Sequence, residues 1–554
     1  MKRWMVAGLS AAMGMSLLLS ACAKDEAAPA SGEAGAVKVD ASRVTAAGEL
    51  PITKEKTNLK IMVKAMTNVE DYATNEYTKW LEEKTNIHIE WEVVQDKSAQ
   101  EKLNVALASG DYPDVIMNFN ISPVQQALYG KEGVFLPLNS YIDQFGVETN
   151  KMFKEADYVK SLITMPDGNI YGLPLVNECF HCSLGQKMWI YQPWLDKLGL
   201  PLPTTTDEFY QVLKAFKEKD PNGNGKADEI PLAGYVNGAT PSMGAASNID
   251  SHLLGSFVEK DTNSMFVKDG KVQLAYTQPG WRDGLIYLNK LYSEGLIAQQ
   301  TFTQDRNQLK QMGENPDAPI LGVAIAQNQT MFINSAGPRF KEYVAVPPLK
   351  GPAGIQSAAY NPFAVSNGNY VITDKAKNPE AAFRLADFMY TEENALRGTI
   401  GRQDKEWAWA EPGEKGIDGQ PARWKQLGAP TGTQQNVHWG QANPSYRSNK
   451  FRLSQMADPK NPLEIILYNE TKMKYEPYKI AVGKIVPPLF FSSEQAEELA
   501  GLTKTINDYR TETLAKAITG KIDIAKEWDN YLKTLDSMKV TATWKFNRLP
   551  TRFI

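Results

Sequence analysis

In the first part of the chain, segments with the hydrophobic pattern of a strand alternate with segments that have the pattern of a helix. Residues 59–63 form a short apolar run, and residues 87–94 alternate between apolar and polar, so both predict strands. Between them, residues 74–84 place aromatic and leucine side chains at i, i+3 and i+4, which predicts a helix. A strand, a helix and a second strand in this order indicate an α/β fold.

The same alternation continues with a helix over residues 97–108, which Asp96 is expected to cap, and a strand over residues 112–117. Strands that alternate with helices predict parallel sheets covered by helices. In such sheets ligands bind beyond the carboxyl ends of the strands, where Asn118 and Phe119 follow the last strand. We therefore expect these two residues to contact a ligand.

The chain begins with two basic residues and an apolar segment. Lys2 and Arg3 precede about sixteen uncharged residues, which lead into the sequence Leu-Ser-Ala-Cys at residues 19–22. This pattern predicts a signal peptide over residues 1–21, with an uncleaved anchor helix as the alternative. The four residues resemble the bacterial lipobox. That resemblance implies cleavage before Cys22 and attachment of lipid to its sulfur.

Residues 22–57 are predicted to be the lipidated cysteine and a flexible tether. The stretch from Ala23 to Ala47 is rich in Ala, Gly, Ser, Glu and Lys and has no aromatic residue. Such a composition buries too little apolar surface to offset the entropy of ordering. The tether would hold a globular body away from the lipid surface.

The size, charge and motifs of the remaining residues exclude several classes of protein. These residues number about 500, which is too many for one core and predicts two or three domains. The formal net charge of −4 lacks the basicity of a nucleic-acid-binding protein, so no nucleic-acid partner is expected. The sequence contains no Gly-x-Ser-x-Gly elbow, no His-Glu-x-x-His and no phosphate loop. We therefore expect a binding protein and not an enzyme.

Two cysteines remain in the globular part, Cys179 and Cys182, with His181 between them. Outside the cytosol a disulfide is the expected state of such a close pair, and buried thiols are the alternative. A structural zinc site needs four ligands, but this segment offers three. A redox role lacks its usual βαβ context. We interpret the pair as a local staple.

Five short motifs occur in order along the chain. They are residues 108–116 (ASGDYPDVI), 133–138 (GVFLPL), 166–174 (PDGNIYGLP), 194–200 (WLDKLGL) and 378–382 (NPEAA). In this order they resemble the extracellular solute-binding proteins, family 1, of ABC importers. Within that family the chain is similar to the large carbohydrate-binding lipoproteins, a branch that includes alginate-binding proteins.

The resemblance implies a two-lobed periplasmic-binding-protein fold of type II, like that of maltose-binding protein. Lobe one would comprise residues 58–180 and 343–372, and lobe two residues 181–342 and 373–554. It also implies a monomer that is anchored outside the cytoplasm and delivers an oligosaccharide to the permease subunits of an ABC importer. A binding protein for a peptide or another solute is one alternative, and a surface enzyme acting on polysaccharide is another.

A loop rich in oxygen side chains follows the helix predicted over residues 206–219. Oxygen ligands and a glycine have the spacing of an EF-hand calcium loop, in which position 7 supplies a backbone carbonyl. Position 12 is Pro231, so the glutamate at position 10 would have to close the site. The predicted ligands of a structural Ca²⁺ are Asp220, Asn222, Asn224, Lys226, Asp228 and Glu229. A plain polar turn is the alternative.

Aromatic residues are the other candidates for contact with a sugar. Trp407, Trp409 and Trp439 lie in segments that predict loops, where exposed rings favour ligand binding. Trp281 begins a helical apolar stripe, for which core packing is the alternative. The resemblance to maltose-binding protein places Phe332 at an aromatic platform.

Overall fold

The structure, a computed structural model, describes residues 39–235, 248–428, 434–491 and 493–540. The predicted signal peptide, Cys22 and residues 22–38 of the predicted tether lie outside these ranges. No helix within the described ranges is long and apolar enough to span a bilayer.

The strands are β1 (Thr57–Lys64), β2 (Ile87–Val94), β3 (Val115–Met117), β4 (Gly172–Asn177), β5 (Met188–Tyr191), β6 (Ile230–Ala233), β7 (Met265–Lys268), β8 (Lys271–Leu274), β9 (Leu321–Ile325), β10 (Tyr343–Val346), β11 (Val365–Ile372), β12 (Trp407–Trp409), β13 (Trp424–Gln426) and β14 (Tyr446–Arg447). The first sheet has the order β14-β4-β11-β3-β1-β2, and the second sheet has the order β10-β5-β9-β6. β7–β8 and β12–β13 form two-stranded sheets.

The helices are α1 (Glu76–Thr85), α2 (Ala99–Ser109), α3 (Pro123–Lys131), α4 (Asn139–Phe145), α5 (Val147–Glu155), α6 (Tyr158–Ile163), α7 (Gln192–Leu198), α8 (Thr206–Glu218), α9 (Ile249–Leu253), α10 (Pro279–Ser293), α11 (Arg306–Gly313), α12 (Pro379–Met389), α13 (Glu392–Thr399), α14 (Asn449–Leu453), α15 (Leu463–Lys474), α16 (Ser493–Ile518) and α17 (Ile524–Ser537). Their alternation with the strands confirms the predicted α/β class.

Local capping accounts for the small shifts from the predicted elements. β2 has the predicted bounds, whereas α1 begins at Glu76 because the side chain of Asn75 accepts a hydrogen bond from the Tyr77 N–H. The prediction that Asp96 caps α2 is wrong. Asp96 instead starts a short 3₁₀ turn, and α2 begins after Ser98. The boundary shifted by two residues because the 3₁₀ turn tightens the entry to the helix.

The prediction of parallel sheets is correct only in part. In the first sheet β1 pairs in parallel with β2 and β3, but β11 runs antiparallel to β3 and β4. The reason is the path of the chain, because β11 follows β10 of the second sheet. It therefore enters the first sheet at the edge where β3 and β4 end.

The predicted tether ends earlier than residue 57. Residues 39–56 pack against the globular body, with Val44 and Ile52 buried. The Arg384 guanidinium donates to the carbonyl oxygens of Thr45 and Glu49 at 2.5 and 2.7 Å. Burial of these two apolar side chains contributes about 1.5–3 kcal/mol each, and the hydrogen bonds from Arg384 further favour the packed segment.

Residues after 373 divide between the two sheets, which differs from their predicted assignment to lobe two. α12 lies on the first sheet, where the Tyr370 hydroxyl of β11 donates to the Ala382 carbonyl at 2.9 Å. Tyr446 of β14 also pairs with β4 of this sheet. By contrast, α16 and α17 pack on α10 beside the second sheet, with Tyr509 stacked on Tyr531. The apolar face of each helix, and not its place in the chain, determines the sheet that it covers.

Candidate functional site

Three described segments connect the two sheets. They are residues 178–187 between β4 and β5, residues 347–364 between β10 and β11, and residues 454–462 between α14 and α15. Because β4 and β14 end where β11 begins, these connections gather at one edge of the first sheet. Cavities at this edge are therefore bordered by both sheets, which is where α/β folds bind ligands.

A cavity of about 720 Å³ lies at this edge, and we call it the central cavity. Arg447 of β14 lines it on the side of the first sheet, and Ser335, which follows β9, lines it on the side of the second. The amide and hydroxyl groups in its wall belong to Ser335, Thr399, Gln426, Gln441, Gln455 and Asn461. Its volume and mixed polar and apolar wall are typical of small-ligand sites.

Arg447 has spare hydrogen-bond donors beside the central cavity. Its Nη2 donates to Gln441 Oε1 at 2.7 Å, whereas its Nε is buried and has no partner. Burial, with help from the neighbouring Arg452, lowers the pKa of Arg447 to about 9. A buried donor without a partner costs about 1–3 kcal/mol, so a ligand acceptor here would be stabilising.

Arg452 and Glu464 link the two sides of the cavity. Glu464 lies in α15, which is tied to the second sheet because Glu470 of the same helix accepts from the Ala345 N–H. Arg452 Nη2 is 3.9 Å from Glu464 Oε2, so the pair is loose. Burial raises the pKa of Glu464, and the two arginines partly oppose that rise. The Arg452–Glu464 pair places one cation and one anion in the wall.

Two smaller cavities, of about 480 and 380 Å³, lie along the connecting segments. Both are lined by Tyr360, Asn361 and Phe363 of the second connection. The half-buried rings of Tyr360 and Phe363 are the kind of apolar surface on which a ligand can stack. Sequence analysis did not select them because the segment has no helical or strand period.

The structure joins Cys179 and Cys182 in a disulfide within the first connection. His181 is buried, and its burial, followed by Lys187 and Arg452, lowers its pKa to about 3. Lys187 is fully buried and donates to the carbonyls of His181 and Leu184 at 2.8 and 2.5 Å. The disulfide and the lysine thus both constrain the same connecting turn.

The expectation that Trp407 and Trp439 present exposed rings is wrong. Both are fully buried. Trp407 packs in a small core with Trp424, and the Trp439 Nε1–H donates to Thr78 Oγ1 at 2.9 Å. A Trp ring in an irregular segment can belong to the core when its N–H finds a hydrogen-bond partner there. Trp409, by contrast, is 40% exposed, and its role in ligand contact stays a prediction.

The other predicted ligand residues are also buried. Trp281 and Phe332 belong to the core of the second sheet, and Phe332 packs edge-on against Tyr343. Phe119 packs in the core of the first sheet. Asn118 lies at the predicted strand end in the left-handed region, where its side chain donates to the Lys64 carbonyl at 2.8 Å. Core packing therefore accounts for these side chains, and none of the four lines the central cavity.

The predicted calcium loop folds around Asp220, which follows the end of α8. Asp220 Oδ1 accepts from the N–H groups of Gly223 and Asn224, and its Oδ2 accepts from Gly225. Asp220, Gly223 and Gly225 have positive φ values of 45°, 76° and 72°, which wrap the loop tightly. The N–H of Lys226 donates to Asn224 Oδ1 at 2.8 Å, which continues the turn.

The acidic end of the loop fits a hard cation. Asp228 accepts from the side-chain amides of Asn222 and Asn224, and these hydrogen bonds lower its pKa. Glu229 Oε1 is buried and has no hydrogen-bond partner. Burial is the main cause that raises the Glu229 pKa, and the carboxylates of Asp220 and Asp228 add to it. A cation bound to oxygen ligands would satisfy this oxygen and relieve the repulsion.

The family profile described as bacterial extracellular solute-binding protein matches residues 63–396. The chain belongs to this family. Its fold is therefore that of a solute-binding protein, with the mixed α/β content of the two-lobed periplasmic binding proteins. The similar proteins are substrate-binding proteins, so the chain is a binding protein and not an enzyme.

The chain is similar to the fructooligosaccharide ABC transporter substrate-binding protein FusA of Streptococcus pneumoniae serotype 4, with 31% identity over 504 residues, or 87% of this chain and 88% of FusA. The solved structure of FusA with kestose aligns at a TM-score of 0.70 and 26% identity, covering 89% and 98% of the two chains. A FusA EF-hand mutant with fructo-nystose aligns equally well. The polygalacturonan/rhamnogalacturonan-binding protein YtcQ of Bacillus subtilis is 28% identical over 44% of this chain and 45% of its own length.

Proposed function

We propose that this chain is a lipid-anchored, extracellular binding protein that delivers an oligosaccharide to an ABC importer. The observation that carries the proposal is its similarity to FusA across 87% of the chain. We propose that it works as a monomer with the permease subunits of the importer. Lipid on Cys22, suggested by the lipobox pattern, would keep it beside them.

The central cavity is the proposed oligosaccharide site. Its volume of about 720 Å³ is bordered by both sheets, and its wall combines planar amides with the Trp424 ring. Planar polar groups and aromatic faces are how protein sites orient a ligand with many hydroxyl groups. Closure about the connecting segments would then surround the ligand on both sides, as hinged binding proteins do.

Calorimetry of residues 39–554 with a panel of oligosaccharides tests the proposal. We expect at least one oligosaccharide to bind and to stay intact on long incubation. Gln426→Ala should weaken that binding about two- to tenfold, because it removes one hydrogen-bonding group from the cavity. Gln100→Ala, the same substitution at an exposed site on α2, is the matched control and should leave affinity unchanged. Binding of peptides alone, or shortening of the sugar chains, would contradict the proposal.

Small-angle scattering tests the closure separately. A ligand that contacts both sides of the cavity favours the closed form over the open form, and only such a difference shifts the population. We therefore expect the radius of gyration to fall when the ligand saturates the protein. An unchanged radius would refute closure and leave the binding assignment in place.

We propose that the loop from Asp220 to Glu229 binds a structural Ca²⁺. The orphaned Glu229 oxygen and the EF-hand spacing support it, and FusA has an EF-hand that was mutated in a solved structure. The side chains of Asp220, Asn222, Asn224, Asp228 and Glu229 and the Lys226 carbonyl would hold the ion. It would tie the end of α8 to β6 of the second sheet.

A further inference from the structure

Three of the segments that follow strands of the two sheets contain no charged residue. The segments after β1, β3 and β9, residues 65–69, 118–130 and 326–338, contain no Asp, Glu, Lys, Arg or His. At the average of 22% charged residues, a stretch of 13 would carry about three charges. These three segments therefore bring no charged side chain to the carboxyl ends of their strands, whereas β4 is followed directly by Glu178.

The wall of the central cavity is electrically balanced. Its charged residues in the described ranges are Arg447, Arg452, Asp458 and Glu464, two cations and two anions. An anionic ligand would therefore be repelled by two carboxylates and attracted by two guanidinium groups. A cationic ligand would be attracted by the carboxylates and repelled by the guanidinium groups.

Hydrogen-bonding capacity is nevertheless high in this wall. Arg447 uses one donor on Gln441 and leaves its Nε without a partner. Arg452 donates to Asn177 Oδ1 and to the Glu178 carbonyl, at 3.3 Å each, so it is held in place by the first connection. The planar fork of an arginine can donate to two neighbouring acceptors at once, which suits vicinal hydroxyls as well as carboxylates.

We propose that the oligosaccharide is uncharged and that Arg447 donates hydrogen bonds to its hydroxyl oxygens. This inference rests on the proposed function and narrows its substrate class. Specificity against acidic sugars then comes from Asp458 and Glu464, which a uronate would have to approach. Recognition depends on the direction of the hydrogen bonds and not on net charge.

Comparing the affinities for neutral and acidic sugars tests the substrate class. We would titrate the protein with neutral gluco- and fructo-oligosaccharides and with oligogalacturonates of the same lengths, in 50 and 500 mM NaCl. We expect a neutral sugar to bind at least tenfold more tightly than its acidic counterpart. Its affinity should change by less than about twofold with salt, since salt screens charges and not hydroxyl hydrogen bonds. Tighter binding of a uronate, or an affinity that falls tenfold in salt, would overturn the inference and leave the proposed function intact.

Substitutions at Arg447 test the contact itself. Arg447→Met and Arg447→Lys should each weaken binding of the neutral sugar about ten- to hundredfold, because the ammonium of lysine lacks the planar fork. Arg282→Met and Arg282→Lys on α10, outside the cavity, should not change it. Recovery of full affinity in Arg447→Lys would show that charge matters, and would contradict the proposal. Thermal melting monitors folding of each variant, and the salt series on the unaltered protein decides the question if a variant unfolds.

Discussion

Replacing Cys22 by Ala is expected to move the protein from the membrane fraction into the medium. The sequence Leu-Ser-Ala-Cys at residues 19–22 motivates this expectation. Lipid would attach to the sulfur of Cys22 alone, and no helix in the described ranges can serve as a membrane span. Two acyl chains bind a bilayer stably, whereas one chain binds only marginally. Fractionation followed by immunoblotting gives the distribution, and we expect nearly complete release.

Cys182→Ser is the control for this experiment. It also removes a cysteine, and it opens the disulfide with Cys179, but it leaves Cys22 in place. This variant should stay with the membranes. The anchoring hypothesis fails if Cys22→Ala sediments with the membranes as completely as the unaltered protein after a high-salt wash.

Removal of calcium is expected to lower the melting temperature by several degrees. An ion that binds only the folded state stabilises it by about 2.7 kcal/mol when its concentration is 100 times its Kd. EGTA should therefore shift the melting curve down, and added Ca²⁺ should restore it. Asp220→Ala should melt lower than the unaltered protein and should lose its response to the chelator, because Asp220 organises the loop through three backbone N–H groups.

Asp317→Ala is the matched control for the calcium experiment. Asp317 is exposed and lies outside the loop from Asp220 to Glu229, so this variant should respond to EGTA as the unaltered protein does. Differential scanning calorimetry gives both curves. A melting temperature that does not depend on Ca²⁺ in the unaltered protein would contradict the site.

Much of the fold follows from local periods in the sequence. The strand at Ile87–Val94 has the predicted bounds, and its first half shows the alternation, with Ile87 and Ile89 buried and Glu90 exposed. α8 has its predicted start because Thr205 and Glu208 form a capping box. The direction of β11 did not follow from any local pattern, because it depends on a connection from the second sheet.

The binding site was harder to predict than the fold. Trp407 and Trp439 lie among turn-forming residues. This local pattern does not predict whether distant parts of the chain bury the two rings, as they do in the structure. Arg447 lies in a strand of two residues, too short for any period to appear. Its role depends on the cavity that it lines together with Ser335, which only the folded chain brings near it. The proposed calcium loop could be recognised from the sequence because all its predicted ligands fall within ten consecutive residues.

The sequence by itself determined the α/β class and the order of the family motifs, and it contains the patterns that predict export, lipidation and a calcium loop. All of these are local, because hydrogen bonds, caps and ligands that are close in sequence stay close in space. The tertiary structure alone decided that Arg384 fixes residues 39–56, that α12 covers the first sheet and that the central cavity is bordered by Ser335 and Arg447. Arg384 and Thr45, like Ser335 and Arg447, lie more than a hundred positions apart in the chain. Burial of apolar surface, which acts without regard to sequence distance, selects such contacts.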